Sequence, residues 1–83
     1  MENETNREMT YGEKAVGLTF NPSGDEAVQK VKELYAEIID LILNGAYSVN
    51  GENTKEKQVL VTEAIRQAQT AQMWAVKAIT WKY

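Results

Sequence analysis

The run Thr54 to Trp81, TKEKQVLVTEAIRQAQTAQMWAVKAITW, decides the fold, because it contains neither Gly nor Pro and keeps a helical period to its end. It predicts one long helix over residues 54–81, with Asn53 as its cap and Glu56 three residues on. Ala64, Ala68, Ala71, Ala75 and Ala78 alternate spacings of four and three and so form one narrow seam of small side chains. Val61, Ile65, Gln72, Val76 and Ile79 run beside it, with Trp74 and Trp81 on the other flank. At about 100° per residue this apolar arc covers roughly half the helix circumference. One partner helix cannot cover that much, and 83 residues hold no larger core to do so. Left open, the strip is a large exposed patch, so a second copy of the chain is its expected cover.

Upstream, Asn21-Pro22-Ser23-Gly24-Asp25-Glu26 reads as a helix start, with Ser23 capping, Glu26 completing a capping box and Asp25 suiting the positive helix end. A helix is predicted over 24–44. Its apolar stripe is Val28, Val31, Tyr35, Ile38 and Ile42, widened by Leu34, Ile39 and Leu41, and Gly45 after Asn44 stops it. Residues 45–53, GAYSVNGEN, form the connecting loop. Residues 11–20, YGEKAVGLTF, suffice for a short helical turn, and residues 1–10 are a polar tail. The expected architecture is all-α: one domain, an antiparallel two-helix hairpin with a short N-terminal helical turn, assembled into a compact homo-oligomer.

Composition prunes function. With no His and no Cys, the chain has no Ser-His-Asp triad, thiol nucleophile or imidazole base, and it lacks the usual zinc ligands. A binding protein rather than an enzyme is expected, with no cofactor and no metal. Twelve acids against nine bases give a net charge of −3, which argues against gripping DNA or long RNA. Small anions are another matter, since a few cations converging at a symmetric interface hold phosphates whatever the net charge. No apolar run approaches the roughly 20 residues that span a bilayer, and MENETNREMT has no signal-peptide core. A cytosolic protein with no membrane partner is expected.

Candidate binding residues each carry two readings. Residues 21–25 cap a helix or bind a phosphate at its N-terminus. Tyr11 ahead of Lys14 packs ordinarily, or stacks on a base while the Lys meets a phosphate. Arg66, Thr70, Met73 and Lys77 share the helix face opposite the alanine seam, which is either a solvated face or, repeated around a symmetry axis, a ring of cations suited to a cyclic ligand. Trp74 and Trp81 are read as structural, closing the hairpin or a subunit contact.

Two stretches, Lys14-Ala15-Val16-Gly17-Leu18-Thr19-Phe20-Asn21-Pro22-Ser23-Gly24-Asp25 and Ala68-Gln69-Thr70-Ala71-Gln72-Met73-Trp74-Ala75-Val76-Lys77-Ala78-Ile79-Thr80-Trp81, resemble the anti-CBASS protein two family. These are small phage proteins that sequester cyclic oligonucleotides made by bacterial antiphage systems, and their hairpin domain is shared with a phage inhibitor of Thoeris defence. The resemblance implies a homohexamer in the cytoplasm of the infected bacterial host. It implies that cyclic dinucleotides such as 3',3'-cGAMP sit between paired subunits, that cyclic trinucleotides sit on three-fold axes, and that neither is cleaved. It points to Tyr11 with Lys14 for the first site, Arg66 with Thr70 for the second, and a basic residue early in the first long helix. That residue is Lys30 or Lys32, with Lys30 preferred because it points away from the apolar stripe. The rival class is a helical oligomeric adaptor whose apolar face grips a phage or host protein.

Overall fold

The computed structural model describes residues 8–48 and 53–83. Three helices follow in order, α1 Tyr11–Val16, α2 Glu26–Ala46 and α3 Lys55–Thr80, with no strand among the described residues. The C-terminal part of α2 meets the start of α3, with Leu43 beside Val61 and Ile65. Val28, near the start of α2, meets Val76 and Thr80 near the end of α3, so the pair is antiparallel.

The helix ends differ from the sequence reading, and local hydrogen bonding explains why. Gly24 takes a left-handed φ of 67°, so the helix predicted from residue 24 starts at Glu26 instead. Asp25, not Ser23, is the cap: its Oδ1 accepts from the Ala27 N–H at 2.7 Å and the Val28 N–H at 3.4 Å. Ser23 braces the turn, accepting from the Asp25 N–H and donating to Asn21 Oδ1. Of the two readings of 21–25 the structure shows the capping one, with the Asp25 carboxylate on the Ala27 and Val28 amides. At its other end α2 runs through Gly45 to Ala46, and Tyr47 is the cap residue, its N–H donating to the Leu43 carbonyl at 3.3 Å. α3 is capped by Thr54, not Asn53. Thr54 Oγ1 accepts from the Lys57 N–H at 3.1 Å, while Asn53 Oδ1 accepts from Gln58 Nε2 at 2.7 Å. The loop residues 49–52 and the tail residues 1–7 lie outside the described residues.

The short α1 is the element that shapes the rest. Thr10 and Glu13 form a capping box in which the Glu13 N–H donates to Thr10 Oγ1 and the Thr10 N–H to Glu13 Oε1. Gly17, at φ 63°, ends the helix. Six residues cannot hold a helix alone, and three side chains of the hairpin grip this one by its backbone. Asp40 Oδ1 accepts from the Gly12 N–H at 2.7 Å, Gln69 Nε2 donates to the Ala15 carbonyl at 3.3 Å, and Lys32 Nζ donates to the Gly17 carbonyl at 3.1 Å and to that of Phe20. Lys32 is buried, and these carbonyls, with the Phe20 ring 5.6 Å from its ammonium, stand in for the water it gave up.

With α1 lying over Ala36 and Asp40, the core turns toward it. Ile39, fully buried, is at the centre with Val16, Ala36, Val61 and Ile65. Of the expected stripe Val28 is buried and Tyr35 and Ile42 pack against the core, but Ile38 is exposed and Ile39 takes its place. Leu34, Ile38 and Leu41 are exposed, Leu41 by 71%. The alanine seam splits likewise: Ala68 packs on the core while Ala71 and Ala78 are exposed. Trp74 and Trp81 do not close the hairpin. Both are exposed, and the Lys77 ammonium lies 5.4 and 5.7 Å from their ring centres. At about 100° per residue, Ile38 with Leu34 and Leu60 with Ala71 and Ala78 fall on the side of the hairpin away from α1. That side is a bare apolar face spanning both long helices.

Candidate functional site

Where α1 meets the hairpin, the surface opens into a cleft of about 410 Å³. Tyr11 from the first turn of α1 and Tyr47 from the end of α2 both line it, over the apolar side chains of Leu43, Val61 and Ile65. Thr62, Arg66 and Gln69 supply polar groups along α3. The volume lies within the roughly 300–1,000 Å³ of small-molecule sites, and two aromatic rings beside a guanidinium suit a flat ring bearing an anion.

Tyr11 is held firmly from behind. A Cβ built on Gly12 would come within 2.9 Å of the Ala36 carbonyl carbon and of Asp40 Cγ, and closer still to the Ala36 oxygen, so α1 touches α2 backbone to backbone. The Asp40 bond to the Gly12 N–H fixes the turn that carries the tyrosine. Asp40→Ala leaves that donor without its acceptor and is expected to cost about 1–3 kcal/mol in denaturant unfolding, whereas Asp40→Asn, which keeps an acceptor oxygen, costs less than half of that.

Arg66 reaches the cleft from α3. One of its nitrogens lies 3.3 Å from Glu63 Oε1 in an exposed pair three residues apart, a weak tether. Its other donors meet no partner among the described residues, which leaves the planar fork open to a phosphate. Thr70, one turn on, donates its hydroxyl to the Arg66 carbonyl at 3.0 Å and keeps lone pairs to accept with.

One protomer thus brings together Tyr11 and Arg66, which the sequence assigns to separate sites, and holds Thr70 beside Arg66. Lys14 is exposed, three residues from Tyr11 on α1, but does not line the cleft. Lys30 is exposed as expected, yet it lies about 20 Å along the α2 axis from Leu43 at 1.5 Å per residue. Lys30 does not line the cleft. Lys32 is spent on the backbone of Gly17 and Phe20, just past the end of α1. Sequence reasoning missed Tyr47, because residue 45 was taken as the helix end, and missed Gln69 and Asp40. A lone carboxylate inside the apolar run Ile38-Ile39-Asp40-Leu41-Ile42 was the available signal for the last.

The family model for the Acb2/Tad1 hairpin domain matches residues 13–80, which takes in most of α1 and all of α2 and α3. The chain belongs to this family. Acb2/Tad1 is the anti-CBASS protein 2 and Thoeris anti-defence family, so this Acb2/Tad1 hairpin is a member of a phage anti-defence family. No curated protein and no solved structure matches it. Among the described residues of the hairpin no helix is long and apolar enough to cross a membrane, and no cluster of acidic residues is arranged for a metal ion.

Proposed function

We propose that this Acb2/Tad1 hairpin binds cyclic dinucleotide and trinucleotide second messengers of bacterial antiphage defence and holds them without cleavage, so that the host effector stays inactive. The observation that carries the reading is the cleft in which Tyr11, Tyr47 and Arg66 converge on an apolar floor. Ring stacking supplies affinity for a base and the guanidinium meets its phosphate. The chain has no His or Cys to supply an imidazole base or thiol nucleophile, in keeping with capture rather than turnover.

The working form is a homo-oligomer, a compact hexamer by the family resemblance. The bare face across α2 and α3 supports self-association. An adaptor that grips a host protein would use the same bare face, and it predicts no messenger binding. Its location in either reading is the cytoplasm of the infected bacterium.

Calorimetric titration with 3',3'-cGAMP and a cyclic triadenylate tests the proposal. Useful sequestration requires nanomolar affinity, about 12 kcal/mol. Tyr11→Ala is expected to weaken the dinucleotide roughly 5- to 150-fold by loss of one stacked ring. Arg66→Ala is expected to weaken the trinucleotide at least tenfold by loss of a charge-assisted hydrogen bond of about 1.5–3 kcal/mol. Wild-type affinity in both variants contradicts this site assignment.

A further inference from the structure

We infer that Tyr47 is a second base-stacking residue, so that a nucleobase entering the cleft lies between the rings of Tyr11 and Tyr47. The inference rests on the messenger-binding reading above and adds to it a residue from a different element. Tyr47 is half-exposed at 40%, comparable with Tyr11 at 52%, and both line the same cleft. Its neighbours Leu43 and Ala46 pack against the hydrophobic core, and Tyr47 borders the cleft beside them. A large aromatic with this much of its surface open beside a cleft of this size is placed for a ligand. Its hydroxyl has no partner among the described residues.

The backbone on either side of the cleft is fixed. Tyr47 closes α2 through its N–H bond to the Leu43 carbonyl at 3.3 Å, and the α1 turn bearing Tyr11 is held by Asp40. The two tyrosines therefore come from elements clamped to each other before any ligand arrives, which lowers the ordering cost of binding. The apolar floor of Val61 and Ile65 accepts a flat ring, and Arg66 and Gln69 at the α3 side meet polar groups attached to it. The chemistry selects a purine or pyrimidine carrying a phosphate over an isolated phosphate or a sugar.

The test is titration of the full chain with 3',3'-cGAMP and a cyclic triadenylate, using Tyr47→Ala, Tyr47→Leu and Tyr47→Phe. Ala and Leu are expected to weaken at least one probe roughly 5- to 150-fold, while Phe, which keeps the ring, binds as wild type. Ligand-free melting of Tyr47→Phe should stay within a degree or two of wild type, and Tyr47→Leu, which keeps an apolar side chain there, separates loss of stacking from loss of packing. Wild-type affinity in Tyr47→Ala overturns the inference, and so does wild-type affinity in Tyr47→Leu, which would reduce the wall to apolar filling. If Tyr47→Ala binds normally while Tyr11→Ala does not, the inference fails and the messenger reading stands. If the wild-type chain binds neither probe, both fail.

Discussion

Gly12→Val is expected to lower the stability of the hairpin by about 3 kcal/mol or more and to abolish messenger binding through Tyr11. The position admits no side chain: the first added carbon already lies 2.9 Å from the Ala36 carbonyl carbon and from Asp40 Cγ, and the neighbour is helix backbone that cannot swing aside. Overpacking against a mobile side chain costs about 1–3 kcal/mol, and rigid backbone places this substitution at or above the top of that range. The strain is relieved by lifting α1, which also breaks the Asp40 bond to the Gly12 N–H and exposes Val16, a member of the core. Guanidinium unfolding should show the lower midpoint, and far-UV circular dichroism should keep most of its helical signal, because α2 and α3 retain their mutual contact. Wild-type stability and affinity would mean that α1 is not docked as described.

The second large effect concerns the bare face. Ile38→Asp is expected to convert the assembled protein into smaller species, because Ile38 is exposed in the single chain but lies mid-way along the apolar side formed with Leu34, Leu41 and Leu60. In an isolated chain the added carboxylate stays in water and costs little. In an oligomer that covers this face it is buried without a partner, at a cost of several kcal/mol, and every 1.4 kcal/mol is tenfold in the association constant. Sedimentation velocity over a range of concentrations separates the cases. Loss of the oligomer with unchanged far-UV spectrum is the predicted result, and a wild-type chain that sediments as a monomer throughout contradicts self-association.

How much of this is visible in the sequence depends on the range of the interactions. The long Gly-free run showed α3 directly, because a helical period is a local property, and its apolar arc already asked for more than one neighbour. The centre of the α2 stripe was displaced from Ile38 to Ile39 because α1, twenty or more residues upstream, covers the Ala36 side. No local pattern contains that information. The caps at Asp25 and Thr54 sit one or two positions from the expected Ser23 and Asn53, since adjacent polar residues compete for the same amides and backbone torsion decides between them.

The candidate site follows the same division. Tyr11, Arg66 and Thr70 are recognisable as residue types suited to a nucleotide, and the expected outward orientation of Lys30 matches its exposure, while Lys32 is buried. That Tyr11 and Arg66 share one cleft depends on how α1 docks, which rests on Asp40 and Gln69 bonding to its backbone and on Lys32 bonding to the backbone just after it. Polar side chains inside apolar stripes, read along the chain, look like interruptions. In the folded hairpin they are the attachments that aim the tyrosine.

The central claim is capture without chemistry, and the most direct test is recovery of the ligand. The purified protein is saturated with 3',3'-cGAMP or a cyclic triadenylate, washed free of excess, held at working temperature, then heat-denatured and the supernatant chromatographed. The account predicts near-stoichiometric return of the intact cyclic molecule and renewed effector activation by that supernatant. Linear or fragmented nucleotide in its place, or no retained ligand at all, contradicts it.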